Sequence, residues 1–347
     1  MTHSLRRLAS ASIAVATLVL CSLAGPGRAI ATNHSTPVLE HRFPSLVYAG
    51  ALSPNGRYLA VGGEGGYVWD LRSGKVVAKL TGDQGYIIRL AFSPDGRWLA
   101  TASYDEDGGP GGVIVRDTRH WRVRKVLVQG GSQGLAYSPD SRWLATGTVM
   151  DHGVNHVQVW SASSCRLVMS HRYCGRLLAF SRDGAWLAAV GPRDVRVLNT
   201  RTGRIRHVVH LNVDIHSAIH LVSRDLLVVR TSGHLVTYDL RTGKQARTID
   251  LPFDVSYSAD LPRTDTIIIA GVYRPAPERE PQAGWTEGCY VTKWNIRTGE
   301  CLGRVQVDVD ALAVSRDVSS VAGGWSEIEP GHRAQAQRIG PLKNDAP

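Results

Sequence analysis

A nine-residue phrase returns along the chain at a spacing near forty, and this constrains the fold more than any other feature. It reads Leu52-Ser53-Pro54-Asn55-Gly56-Arg57-Tyr58-Leu59-Ala60, then Phe92-Ser93-Pro94-Asp95-Gly96-Arg97-Trp98-Leu99-Ala100. It comes back as Tyr137-Ser138-Pro139-Asp140-Ser141-Arg142-Trp143-Leu144-Ala145 and as Phe180-Ser181-Arg182-Asp183-Gly184-Ala185-Trp186-Leu187-Ala188. Fainter copies start at Val222-Ser223-Arg224-Asp225, Tyr257-Ser258-Ala259-Asp260 and Val314-Ser315-Arg316-Asp317. Successive serines lie 40, 45, 43, 42, 35 and 57 residues apart. A unit of this length is one supersecondary motif, which cannot bury its apolar faces alone and must stack on its neighbours.

Each part of the phrase has a physical job. The residue before the serine ends a strand, proline fixes φ for a turn, aspartate bonds its own following backbone, and glycine accepts positive φ. A second strand starts at the Arg-Trp-Leu-Ala stretch. A third follows as Tyr67-Val68-Trp69-Asp70, Val113-Ile114-Val115-Arg116-Asp117, Val157-Gln158-Val159-Trp160, Val195-Arg196-Val197-Leu198, Leu235-Val236-Thr237-Tyr238-Asp239 and Val291-Thr292-Lys293-Trp294. These are β-branched and aromatic runs with period two. Hairpin turns such as Arg72-Ser73-Gly74, Arg201-Thr202-Gly203, Arg241-Thr242-Gly243 and Arg297-Thr298-Gly299 lead to a short fourth strand.

Four antiparallel strands at this period, with the Trp69-Asp70 pair, resemble the WD-repeat family over roughly residues 36–324. The resemblance implies an all-β chain: a seven-bladed β-propeller of four-stranded antiparallel blades, closed by the N-terminal strand. Two departures stand out. No Gly-His precedes the first strand, and Asp105 and Asp151 are the fair candidates for the usual acid between strands two and three. Aligning Leu52 with Phe92 makes residues 37–41 a fourth-strand equivalent that completes the last blade and removes the open edge. Residues 307–314, 319–324 and 334–339 would supply its other strands.

The first 29 residues differ from the rest. Arg6 and Arg7 precede an uncharged apolar stretch over residues 8–25, and Pro26-Gly27-Arg28-Ala29 ends in a small residue. That order reads as a secretory signal peptide cleaved after Ala29, with an uncleaved anchor as the other reading. Leu18-Val19-Leu20-Cys21 is a partial lipoprotein pattern, with Leu20 where a small residue is needed. The expected organisation is a signal peptide over residues 1–29, a propeller over 30–339 and a disordered tail over 340–347, in a secreted or cell-envelope protein. A membrane contact would come only through an uncleaved or lipidated N-terminus. Loss of three arginines and no acid takes the net charge from +10 to +7. This suits an acidic protein partner or an anionic envelope polymer. No basic cluster interleaved with aromatics points to specific nucleic acid.

Binding sites are expected where loops ride on the rigid ring. Seven and five residues before each repeat serine, where inner strands begin, stand Tyr86, His216, Gln133, Arg176, Phe253 and Asp310. In WD-repeat proteins this neighbourhood is where partners commonly dock, and Tyr and Arg are favoured anchors. Two insertions enlarge the same face: residues 104–112, acidic and glycine-rich, and residues 272–288, which carry Arg274, Trp285 and three prolines.

Other chemistry is weakly represented. His207 and His210 fall on an outer strand and His216 and His220 on the next inner strand, with the last two ~13 Å apart at ~3.3 Å per residue. One metal ion cannot hold both. With the turn at Thr298-Gly299, residue 301 should face 296 and Cys289 should face 308, too far apart for a Cys289–Cys301 bridge. Cys165 and Cys174 fail similarly, so free thiols are expected. No Gly-x-Ser-x-Gly, P-loop or His-Glu-x-x-His stretch occurs. The leading reading is a non-catalytic interaction platform with no cofactor. A propeller enzyme of hydrolase, lactonase or dehydrogenase type is the alternative, using Asp254, Asp308, Asp310 and His216 at the channel mouth. An exported propeller binding a sugar or envelope polymer is a third.

Overall fold

The computed structural model describes residues 41–43, 47–104, 111–129, 131–149, 155–173, 175–191, 194–211, 218–223, 225–231, 233–252, 254–260, 264–273, 288–307, 310–314, 320–325 and 332–338. Six blades follow one another, each a four-stranded antiparallel sheet of consecutive strands. The first holds Val47–Leu52, Tyr58–Gly63, Gly66–Asp70 and Lys75–Leu80; the second holds Tyr86–Phe92, Trp98–Tyr104, Gly112–Asp117 and Val123–Gln129. The third holds Ser132–Tyr137, Trp143–Val149, Asn155–Ser161 and Leu167–Arg172; the fourth holds Leu178–Phe180, Trp186–Val190, Asp194–Asn199 and Ile205–His210. The fifth holds Ala218–Ser223, Leu226–Arg230, His234–Asp239 and Lys244–Asp250. The sixth holds Asp254–Asp260, Thr266–Tyr273, Gly288–Asn295 and Cys301–Val307.

One further four-stranded sheet draws on both ends of the chain. His41–Phe43 pairs with His332–Arg338, which pairs with Ser320–Trp325, which pairs with Asp310–Val314. Strand Asp310–Val314 contacts the inner strands of the sixth and first blades and so stands between them. The expectation of seven blades is corrected here to six blades of consecutive strands plus this mixed sheet. Among the described residues the C-terminal copy supplies only three strands, so it cannot form a blade unaided. The closing strand is described over His41–Phe43, with His41 opposite Ala334; of the expected 37–41, residues 37–40 lie outside the described ones.

The cores lie between neighbouring sheets. Leu227 and Val229 pack towards the fourth blade with Val190, Val195 and Val197, while Leu226 and Val228 pack towards the sixth with Ile267 and Ile269. A second strand buried on both faces therefore reads Leu-Leu-Val-Val, with no polar alternation. Outer strands have one neighbour fewer. Lys244–Asp250 is exposed at every position except Ile249.

The repeat serine is the hub of its turn, a role the sequence did not reveal. Ser93 Oγ donates to Asp95 Oδ1 at 2.6 Å and accepts the Trp98 N–H at 2.9 Å, while Asp95 Oδ1 accepts the Arg97 N–H at 3.1 Å. The same triangle forms at Ser53, Ser138 and Ser181. All four serines are buried, so the hydroxyl satisfies groups that would otherwise be stranded away from water.

Gly56, Gly96 and Gly184 take the positive φ that the turn requires, and Ser141 takes it at φ 60 in the third blade. A side chain there is strained, but Ser141 Oγ accepts the Asp95 N–H at 2.9 Å and ties the second blade to the third. Ser141→Ala keeps the strain and loses the bond, and is expected to cost about 1 kcal/mol. Ser141→Gly loses the same bond but relieves about 1 kcal/mol of left-handed strain. Thermal unfolding should place Ser141→Gly near wild type and above Ser141→Ala.

The outer hairpins are capped alike. Asp70, Asn199, Asp239 and Asn295 each accept the N–H two residues on, at 2.8–3.1 Å. A bulge follows in the same pair, between Lys293 and Trp294 in the sixth blade, so Cys301 faces Trp294 and Cys289 faces Val307. The expected register, 301 against 296 and 289 against 308, is corrected by a wider turn, in which the Asn295 N–H donates to the Glu300 carbonyl; the bulge then takes back one residue of the difference. Among the described residues no disulfide joins Cys165, Cys289 and Cys301, and Cys174 lies outside the described residues.

Candidate binding face and channel

The antiparallel register assigns each loop to an end of the ring. Tyr86 lies opposite Tyr104 and Asp254 opposite Val272, so inner strands start where second strands finish. The second and third strands of these two blades still pair at Ser103–Gly112 and Tyr273–Gly288. Both insertions thus leave from the face where inner strands begin, although residues 105–110 and 274–287 themselves lie outside the described ones. The serine turns and the Arg-Thr-Gly hairpins occupy the other face.

Inner strands carry a bulge close to their starts. The register skips Tyr48 in the first blade, Ile88 in the second and Gln133 in the third. Each is the residue five before its repeat serine. An extra residue at a bulge bends the strand and re-aims side chains, here beside the channel. Tyr48 is 39% exposed. Its ring meets that of Tyr86 edge-on, with centroids 5.4 Å apart and planes at 64°, which joins the first two blades at the rim.

The expected site residues fall unevenly. Tyr86 and Gln133 are half-buried at the starts of inner strands, and Arg176 is exposed two residues before Leu178–Phe180. Asp310 opens its strand opposite Gly324. His216, Phe253, Arg274 and Trp285 lie outside the described residues, as do Asp105 and Asp151. His207 and His210 fall on the outer strand Ile205–His210 as expected. His220 is buried on the fifth inner strand and shares a 2.9 Å hydrogen bond with Ser258 of the sixth. No three His, Cys, Asp or Glu side chains gather as metal ligands among the described residues.

Two arginines escaped the sequence reading. Arg89 is half-buried on the second inner strand, four residues before its serine and not five or seven. Arg230 ends the second strand of the fifth blade and is 4% exposed. Its Nε and Nη1 are buried with no hydrogen-bond partner among the described residues. Burial, then the charge of Arg176, pushes the Arg89 guanidinium below its usual range. Burial, then the charge of Arg89, brings Arg230 down to about 10. Both remain cationic at neutral pH. The second blade adjoins neither the fourth nor the fifth, so the charge of one arginine is felt by the next across the ring.

A buried polar lock was missed as well. Arg116, opposite Leu99, occupies the register position held by Trp69 opposite Leu59 and Trp160 opposite Leu144. In the third blade the Trp160 indole N–H donates to Thr146 Oγ1 at 3.1 Å. In the second, Arg116 donates to Thr101 Oγ1 at 2.9 Å, the Thr81 carbonyl at 2.6 Å and Asp83 Oδ2 at 2.5 Å, and Thr101 donates to Asp83 Oδ1. The acid comes from the loop before the inner strand. The sequence reading sought it between strands two and three. Asp83 also lines a cavity of about 270 Å³ with Ser103, Gly112, Ile114 and Val128.

Residues 74–107 match the WD40 family, described as WD domain, G-beta repeat. The matched run spans the outer strand of the first blade and the inner and second strands of the second. None of the curated proteins compared matches the chain. A repeat match that falls across two adjoining blades of a four-stranded antiparallel propeller likens this chain to WD-repeat β-propellers.

Proposed function

We propose that the chain works outside the cytoplasmic membrane as a non-catalytic platform that holds a protein partner on the face where its inner strands begin. WD40 propellers commonly bind proteins and typically act as scaffolds. The observation that carries the reading here is the rim pair of exposed Tyr48 and half-buried Tyr86, since aromatic rings give large contact area at low entropic cost. Both insertions leave from that face and would widen it. Removal of residues 1–29 would release the propeller.

A photo-crosslinking amino acid placed at position 86, in cells expressing the full chain, tests this. It should give a defined partner adduct in the envelope or secreted fraction, whereas position 201, on the opposite face, should give none. Replacing Tyr48 by alanine should lower the adduct yield about tenfold, the loss of one aromatic anchor. Equal adducts from both positions, or none from position 86, would contradict the platform. A chain that stays in the cytoplasm would contradict its location.

A further inference from the structure

We propose that the central channel is a site for a phosphate-class oxyanion, held between Arg89 and Arg230 with Arg176 at the mouth. The geometry sets the requirement. Arg230 is 4% exposed and offers two buried N–H groups that find no acceptor among the described residues. Arg89 stands half-buried on the inner strand of the second blade, which does not adjoin the fifth. Neither arginine forms a salt bridge among the described residues. A buried guanidinium without a counter-charge costs several kcal/mol, and arginine cannot escape that cost by releasing its proton near neutrality.

A tetrahedral oxyanion meets the need well. Its oxygens accept charge-assisted hydrogen bonds from several directions. Its charge, between one and two at neutral pH, balances two guanidinium groups better than a single carboxylate does. Supply from within the chain is the competing solution. Asp254 and Asp310 stand on the inner strands of the sixth blade and the mixed sheet, and either would remove the requirement. The site shares Arg176 with the rim but does not rest on the platform reading, and the variants below leave Tyr48 and Tyr86 intact.

The test is calorimetric titration of the full chain with inorganic phosphate, and separately with glycerol phosphate, in a chloride buffer of matched ionic strength. Wild type should bind one equivalent, and its Tm should rise by about 2–4 °C near a hundredfold excess over Kd. Arg89→Met and Arg230→Met should each weaken binding about ten- to hundredfold. Arg201→Gln, on an exposed turn of the far face, should bind like wild type. Without phosphate, Arg230→Met should unfold no earlier than wild type, since it removes an unpaired buried charge. If that variant does not fold, Arg89→Met alone decides. Tighter binding of glycerol phosphate would identify a phosphoryl group on a larger molecule as the ligand. Equal binding by wild type and both channel variants would overturn the site. So would no binding by wild type, the result expected if Asp254 or Asp310 already neutralises the arginines.

Discussion

Replacing Asp83 by alanine is expected to destabilise the propeller by about 3–5 kcal/mol, the usual cost of leaving one member of a buried ion pair alone. The Arg116 side chain is 1% exposed and that of Asp83 3%, so the charge of Arg116 would be left without its partner in a site largely shut off from bulk solvent. Thr101 and the Thr81 carbonyl would still accept from Arg116, but neither carries a charge. The double variant Asp83→Ala, Arg116→Met should recover most of the loss, because an apolar replacement of both partners is often neutral. Urea unfolding of the two single variants and the double gives the coupling directly. Additive losses would mean that the pair does not act as a unit.

Gly147→Ala should have a comparable effect by a different route. A methyl group built on Gly147 would overlap the Gly175 carbonyl oxygen, as would one built on Gly134. The third and fourth blades approach each other here through backbone atoms, which cannot rotate aside. Relief requires the blades to part, so the expected loss is about 3 kcal/mol or more, at the upper end for overpacking. Gly65 has open space around its missing Cβ, and Gly65→Ala should stay within about 0.5 kcal/mol of wild type. Equal midpoints for the two variants would show that the blades are not in backbone contact.

The blade plan was legible because its signals are local. Proline, aspartate and glycine in Ser-Pro-Asp-Gly dictate a turn through their own backbone preferences, and period-two strands on either side follow from side-chain burial. What stayed hidden depends on contacts far apart in sequence. Asp83 reaches Arg116 across a sheet, and Arg89 senses Arg176 and Arg230 only because the ring brings non-adjacent blades face to face. Counting back from each serine found Tyr86 and Gln133, whose places follow from register. It passed over Arg89 because a bulge moves the pattern by one residue. The Cys289–Cys301 register was displaced instead by the wider Asn295–Glu300 turn, whose extent the Arg-Thr-Gly letters do not fix. The serine hub was visible as a letter in every repeat, but its hydroxyl geometry was not.

The mixed sheet makes the order of synthesis matter. His41–Phe43 is made before any blade, yet its partner His332–Arg338 is made after all of them. During elongation the first blade can pair its own four strands, while the earliest strand waits for a mate nearly a chain length away. Such a distant pairing has a large loop-closure entropy, lowered only when the intervening blades have already drawn the ends together. Closure is therefore expected late in folding. A chain released early would carry an open edge strand able to pair with another copy of itself.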